Sequence, residues 1–182
     1  MGVIYGRLPG YHLSARGQRQ AAAAAARLAT RDVGTIWASP LERAQETAAA
    51  IAEKHDLEII TDERLIESDS TLEGLGRRAR DFARSPRYWW RFRNPLRPSW
   101  GESFVDIRLR MLSAIKEASS RSGGREVVIV SHQTPVLVAR LALTKKRLPP
   151  WIGVTPCTTG SITTMELNEG QVISASYFAP PA

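Results

Sequence analysis

The chain has 182 residues, 43% of them hydrophobic, and a formal charge of +7 from 25 basic and 18 acidic side chains. This length suits one hydrophobic core, so we expect a single domain over residues 1–182. No apolar run approaches the roughly 18 residues of a membrane span, and no charged-then-apolar leader follows Met1. Cys157 is the single cysteine. An internal disulfide is therefore excluded, and we expect a cytoplasmic protein that is not exported.

The positive charge is concentrated in one segment. Between Arg77 and Arg97 lie eight arginines and one acid, Asp81, whereas the rest of the chain has 17 basic and 17 acidic residues. Such a local charge favours a defined anionic ligand or partner, and nucleic acid ranks last among the partners. Aromatic residues at 88, 89, 90 and 92 accompany the arginines. We expect residues 77–100 to form a basic, aromatic, lid-like insertion; the alternative is a basic surface with the aromatic rings packed beneath it.

Helix and strand patterns alternate from residue 14 onward. Ser14 is a favourable N-cap for a helix of about four turns that contains six alanines. The apolar residues 33–38 predict a buried strand. Ser39, Pro40 and Glu42 then predict a capping box at the start of a helix that reaches about residue 53. A short strand is expected at 57–60.

The second half of the chain continues the alternation. Apolar residues on one face predict an amphipathic helix from 102 to about 119, followed by the clearest buried strand at 126–130. A helix is expected from 134 to about 144, and a closing hairpin at 162–167 and 172–178. No internal repeat is present. The alternation predicts a three-layer α/β/α sandwich with a mostly parallel sheet.

Two strand-to-helix junctions carry the residues of chemical interest, Arg43 and His132. In a parallel sheet both junctions lie at the carboxyl edge, so they are expected to converge. Arg43 in the first turn of a helix can bind phosphate together with the helix N-terminus. The alternative is that Arg43 pairs with an acid such as Glu46 or with a neighbouring loop. His132 follows a buried strand, where imidazole serves either catalysis or structure.

Six segments of the sequence occur in the order typical of one family. They are residues 13–17, 38–48, 64–67, 73–74, 98 with 101–103, and 128–132. On these motifs the chain is identified as a member of the histidine phosphatase (phosphoglycerate mutase-like) superfamily. The resemblance implies a phosphatase of the phosphohistidine type that acts on a small phosphorylated substrate, or a phosphoglycerate mutase-type enzyme. It implies neither a metal nor a cofactor.

The resemblance also implies a role for particular residues. Arg43 would hold the phosphoryl oxygens, Glu67 would be the general acid or base at the leaving group, and His132 would stabilise the transferring phosphoryl group. For Glu67 the alternative is a surface residue before a loop. The residues expected to bind substrate are Arg7, Ser39 and Gln133.

One part of the family pattern is absent from this sequence. The family begins with a strand that ends in Arg-His-Gly, whose histidine becomes phosphorylated, and no such tripeptide occurs here. His12 belongs to the segment that leads into the first helix and is not expected to replace that histidine. We therefore expect the first strand to be missing and the chain as given to be inactive. A truncated N-terminus or a misplaced start is the favoured explanation over an evolved inactive protein.

Because the missing strand would be internal to the sheet, its loss would leave unpaired backbone groups on both neighbouring strands. We therefore expect a filled or distorted gap, with residues 3–5 or a partner chain entering the sheet. The alternative function is a non-catalytic protein of the same fold that binds a phosphorylated ligand. The sequence leaves a homodimer open.

Overall fold

The computed structural model describes residues 4–70, 73–74, 101–146, 157–168 and 171–180. The expected insertion at 77–100 lies outside these residues. The helices are α1 (Ala15–Leu28), α2 (Glu42–His55), α3 (Phe104–Arg121) and α4 (Gln133–Leu143), with a short 3₁₀ helix at Glu63–Leu65. The strands are β1 (Val33–Ala38), β2 (Ile59–Thr61), β3 (Glu126–Val130), β4 (Ile162–Asn168) and β5 (Gln171–Phe178).

The central sheet is parallel and has the order β2-β1-β3. In its register Trp37 of β1 lies opposite Ile60 of β2 and Ile129 of β3. The carboxyl ends of β1 and β3 are therefore level, since Ala38 pairs with Val130. This alignment brings the two expected junctions to the same edge of the sheet.

Helices cover both faces of the central sheet. On one face Ile36 and Ala38 of β1 pack with Ala25 of α1 and Ile51 of α2. On the other face the nearly inaccessible Trp37 packs with residues of α3 and α4. Alternate residues of β1 therefore point into two apolar clusters, as expected for a strand buried on both sides. The three-layer α/β/α arrangement predicted from the sequence is confirmed.

The fourth and fifth strands form a separate antiparallel hairpin. Arg27 of α1 lies over the ring of Phe178, and Arg140 of α4 lies over the ring of Tyr177. The hairpin thus contacts helices from both layers. Within the described residues, β3 is paired with β1 alone and β4 with β5 alone, so the sheet is divided into two.

The expected entry of residues 3–5 into the sheet is wrong for Ile4 and Tyr5. Both lie outside the strands, and the Ile4 carbonyl accepts a hydrogen bond from the amide of Gly74 at 2.8 Å. The backbone of Ile4 is thus used by a turn beside the site. Val3 lies outside the described residues. Across the described ranges, no helix has the length and apolar character needed to cross a bilayer.

Candidate active site

A backbone hydrogen bond links the carboxyl ends of β1 and β3 at the edge of the sheet. The amide of Ser39 donates to the carbonyl of Val130 at 2.9 Å, which continues the strand pairing by one residue. The side chains that follow then meet, and His132 Nε2 lies 2.7 Å from Ser39 Oγ. The predicted convergence of the two junctions is confirmed by this contact.

His132 is a buried, neutral imidazole. Its Nδ1 lies 3.2 Å from Nη2 of Arg43, which can only donate, so Nδ1 is the acceptor and Nε2 carries the hydrogen that goes to Ser39. Burial, together with the positive charges of Arg43, Arg110 and Arg7, lowers the pKa of His132 to about 3. The ring is therefore uncharged at neutral pH unless an anion enters.

Arg43 presents an unused donor at this point. Its Nη2 also donates to the carbonyl of Gly6 at 2.7 Å, whereas Nη1 is buried without a hydrogen-bond partner in the described part of the chain. The ring of Tyr5 lies 4.9 Å from the guanidinium carbon. A buried donor without a partner costs free energy of the order of 1–3 kcal/mol. Burial also lowers the pKa of Arg43 from its usual value.

Of the two alternatives for Arg43, the ion pair with Glu46 is not formed, whereas a contact with a neighbouring loop is, through the Gly6 carbonyl. Glu46 instead accepts hydrogen bonds from the amide of Leu13 and from Nδ1 of His12. The pair raises the pKa of the exposed His12 and ties the N-terminal segment to α2. His12 is therefore used in a surface contact with Glu46.

The predicted capping box at Ser39 is wrong. Helix α2 begins at Glu42 with Leu41 as its N-cap, and no side chain caps it. Ser39 is fully buried and bonds His132, and Glu42 accepts from the amide of Gly10 at 2.9 Å. Both side chains expected to cap the helix are thus used to assemble the site and the loop above it.

Glu67 follows the 3₁₀ helix and is only partly accessible to solvent, which argues against the alternative of an exposed surface residue. Its Oε1 accepts from the amide of Ser68 at 2.8 Å and from Ser68 Oγ at 3.2 Å. Burial raises the pKa of Glu67, although the hydrogen bonds from Ser68 and the charges of Arg43 and Arg110 oppose the rise. A carboxyl group with a raised pKa can hold a proton for transfer.

The remaining predicted residues are placed differently. Arg7 Nε donates to the carbonyl of Glu67 at 2.7 Å, and its Nη2 pairs with Glu102 at 3.0 Å, so two of its donors hold the site together. Gln133 Nε2 donates to the carbonyl of Cys157 at 2.7 Å. The structure thus places His132 in contact with both Arg43 and Ser39. It also places Arg7 against Glu67. Gln133 instead contacts the segment before the hairpin.

Glu102 and Arg110 are two residues of the site that the sequence reasoning did not single out. Arg110 binds both carboxyl oxygens of Glu102, at 2.7 and 2.9 Å, and its charge acts on both Glu67 and His132. Glu102 was part of a family motif at 101–103, which was the available signal. Arg110 lies within α3. Arginine is common on the exposed faces of helices, so its presence there does not by itself indicate a site residue.

The site combines three guanidinium groups, a neutral imidazole and a carboxyl group whose pKa is raised by burial. Among the described residues, Nη1 of Arg43 is a buried donor without a partner beside His132, and the cations of Arg7 and Arg110 act on the same histidine. Such a set of side chains favours an anion with several oxygens, which can accept hydrogen bonds from a fixed guanidinium group. Glu67 can supply or remove a proton near that anion.

Sequence comparison shows the family. The model for the histidine phosphatase superfamily (branch 1) matches residues 2–179, and the chain belongs to this family. A Mycobacterium tuberculosis (strain H37Rv) protein described as uncharacterized is 50% identical over 182 residues, covering 100% of this chain and 90% of its own length. Phosphoserine phosphatase 1 of Hydrogenobacter thermophilus is 32% identical over 138 residues, covering 72% of this chain and 64% of that protein.

Solved structures agree with the sequence matches. A mycobacterial glucosyl-3-phosphoglycerate phosphatase in complex with inorganic phosphate superposes with a TM-score of 0.75 at 28% identity. The match covers 98% of this chain and 91% of that one. The phosphoglycerate mutase-like fold and a family with phosphatase members are therefore established for this chain.

Proposed function

We propose that this chain forms the phosphate-binding part of a phosphatase that acts on a small phosphate monoester. The observation that carries the proposal is the buried Nη1 of Arg43, which has no hydrogen-bond partner in the described part of the chain and lies on the guanidinium group that contacts His132. A phosphoryl oxygen would satisfy that donor. The similar phosphatase bound to inorganic phosphate supports the same ligand chemistry.

The proposed reaction proceeds in two steps that follow the family resemblance. The phosphorus–oxygen bond of the ester breaks as the phosphoryl group passes to a histidine nitrogen, and Glu67 gives its proton to the departing oxygen. Water then attacks the phosphohistidine, Glu67 takes the proton of that water, and inorganic phosphate leaves. Arg43 and His132 would bind the equatorial oxygens throughout, since charge stabilisation is the main demand of phosphoryl transfer.

The acceptor histidine is the part of this reaction that the described residues do not supply. His132 has both ring nitrogens engaged, and His12 is bonded to Glu46 on the surface. His55 is the last residue of α2, at the opposite end of that helix from Arg43. We therefore propose that the 182-residue form binds phosphate without turnover. A form extended by the family's Arg-His-Gly strand would be active. Within the described residues no strand pairs with the side of β3 away from β1, which provides a place for that strand.

Hydrolysis of p-nitrophenyl phosphate and of phosphoserine by the two forms tests the proposal. We expect turnover by the extended form, loss of turnover when its added histidine is replaced by alanine, and none by the 182-residue form. Absence of turnover in the extended form, with phosphate still bound, would contradict the phosphatase proposal. Transfer between phosphoglycerate isomers without net release of phosphate would instead indicate a mutase.

A second candidate is a binding protein that holds a phosphorylated ligand without converting it. The engagement of both His132 nitrogens and of His12 favours this candidate for the 182-residue form. Ligand binding stabilises a folded protein in proportion to the logarithm of ligand concentration. Phosphate-dependent thermal stabilisation without turnover, in the extended form as well, would favour the binding protein.

We also propose a cytoplasmic location, which the buried and unpaired Cys157 supports. A thiol of this kind persists in a reducing compartment. Fractionation of cells that express the protein would test the proposal, and recovery in an exported fraction would contradict it.

A further inference from the structure

The segment that carries Glu67 is held by two guanidinium groups. Arg110 Nη1 donates to the carbonyls of Arg64 and Ile66, at 2.6 and 2.7 Å, and Arg7 Nε donates to the carbonyl of Glu67 at 2.7 Å. These donors approach from different parts of the chain, α3 and the N-terminal segment. The backbone on which the Glu67 carboxyl group is mounted is therefore fixed from two directions.

One carboxylate holds both of these guanidinium groups. Glu102 Oε1 accepts from Arg110 Nε at 2.7 Å, and Oε2 accepts from Arg110 Nη2 at 2.9 Å and from Arg7 Nη2 at 3.0 Å. The side chains of Glu102 and Arg110 are each 15% exposed, so water screens this pair little. Charge-assisted bonds of this kind are the strong ones in proteins.

Glu102 is also joined to the chain just beyond Glu67. Its amide donates to the carbonyl of Asp69 at 3.2 Å, and Gly101 forms an isolated antiparallel bridge with Ser70. A Cβ atom at position 101 would lie 2.1 Å from the Asp69 carbonyl oxygen, so only glycine allows this approach. Both sides of the Glu67 segment are thus tied to residues 101 and 102.

We propose that Glu102 is a positioning residue for Glu67, acting through Arg7 and Arg110, which it holds in place and whose positive charge it balances. The proposal rests on the proposed acid and base role of Glu67, but its geometry is independent of turnover. If Glu102 were neutral, the two cations would lie unbalanced beside a group that must be able to keep a proton.

Charged and titratable groups reach Glu67 from several elements. The charges of Arg43 in α2 and Arg110 in α3 act to lower the pKa of its carboxyl group, and Arg7 donates a hydrogen bond to its carbonyl. Burial and the charge of Glu67 in turn raise the pKa of Cys157, which precedes β4. Burial raises the pKa of Glu67 against the two arginines that oppose the rise. Balancing one of those arginines, Arg110, is therefore expected to matter for the protonation of Glu67.

Carboxyl carbon NMR of the 182-residue chain tests the proposal directly, with Glu67→Gln used to assign the Glu67 signal. We expect Glu102→Gln to lower the pKa of Glu67, because two cations lose their counter-charge. Asp62→Asn is the matched control, since Asp62 is also a shielded carboxylate paired with an arginine, Arg64, in the segment that leads to Glu67. It should cost stability and leave the pKa of Glu67 unchanged.

A second variant keeps the test valid if Glu102→Gln fails to fold. Arg7→Gln changes a residue ahead of the first helix and leaves Glu102 and Arg110 paired. Removing a cation is expected to raise the pKa of Glu67, whereas simple loosening of the segment would lower it. An unchanged pKa in Glu102→Gln, or a fall in Arg7→Gln, would overturn the proposal.

Kinetics of the extended form separates this inference from the proposed function. General acid catalysis contributes about 10²–10⁴-fold to rates, and alkyl phosphates need the acid more than p-nitrophenyl phosphate does. We expect Glu102→Gln to lower kcat for an alkyl phosphate at least about tenfold more than for p-nitrophenyl phosphate, with KM little changed. An equal fall for both esters would overturn the positioning role. A shifted Glu67 pKa in Glu102→Gln, together with no turnover by the extended form, would support the positioning role and contradict the phosphatase proposal.

Discussion

Arg43 donates from Nη2 to Nδ1 of His132 at 3.2 Å, while Nη1 of the same guanidinium group is buried and unpartnered in the described part of the chain. The two residues come from different junctions, 89 positions apart in sequence. Their contact fixes the tautomer of the histidine and leaves one strong donor available. This relationship carries the predictions about ligand binding and protonation.

Phosphate binding should raise the pKa of His132. In the free protein, burial and the neighbouring cations hold this pKa at about 3. An anion beside Arg43 offsets those charges and favours the imidazolium form, which can then donate to the ligand. NMR titration of the imidazole with and without inorganic phosphate would measure the change. A pKa that phosphate leaves unaltered would place the anion elsewhere.

His132 should make folding stability depend on acid. Its folded pKa of about 3 lies below the ordinary value of 6.5, so the unfolded chain binds the proton more readily between these values. The contribution of His132 to the free energy of unfolding should therefore be fully present above pH 6.5 and be lost as the pH drops towards 3, by roughly 5 kcal/mol at most.

The variant His132→Gln isolates that contribution in urea unfolding at several pH values. Glu67 acts in the opposite direction, since its raised pKa favours the folded state in acid, and it is present in both proteins. We expect the free energy of unfolding of His132→Gln to depend less on pH between 6.5 and 3 than that of wild type. His12→Gln should show no such change, because His12 is exposed. The same pH dependence of unfolding in wild type and His132→Gln would show that this histidine is not its cause.

Ser39→Ala should affect both stability and ligand binding. The substitution leaves the buried Nε2–H of His132 without its acceptor, at a cost of about 1–3 kcal/mol, and frees the ring to rotate away from Arg43. Ser131→Ala is the matched control, because Ser131 Oγ donates to the Leu65 carbonyl at 2.7 Å beside the site without bonding His132. Chemical unfolding and phosphate titration would compare the two variants.

We expect Ser131→Ala to lose stability alone, and Ser39→Ala to lose phosphate affinity as well. Equal phosphate affinity in wild type and Ser39→Ala would mean that Ser39 does not orient the histidine.

The sequence was sufficient for those parts of the fold that depend on local pattern. Buried strands such as Glu126–Val130 and the strand-to-helix junctions at Ser39 and His132 follow from apolar runs and from the parallel sheet. The resemblance added Glu67, which no local pattern distinguishes from a surface acid. Its burial depends on tertiary packing.

The sequence was insufficient where one side chain had two uses. Ser39 has the sequence context of an N-cap, but its hydroxyl group is taken by His132, which is 93 positions away. The role of Arg110 likewise depends on Glu102 and on backbone carbonyls of another segment, Arg64 and Ile66. Long-range partners of this kind have no spacing in sequence that would predict them.

The central claim is that Arg43 holds a phosphoryl group, and calorimetric titration of the 182-residue chain with inorganic phosphate tests it most directly. Arg43→Lys keeps the charge but loses the fork of donors, so affinity should fall about tenfold to 100-fold, the value of one charged hydrogen bond. Arg31→Lys, which changes an exposed arginine paired with Glu126, is the control and should bind as wild type does. The predicted result is that wild type binds phosphate and that Arg43→Lys binds it about tenfold to 100-fold more weakly or not at all. No phosphate binding by wild type, or equal binding by Arg43→Lys, would contradict the claim.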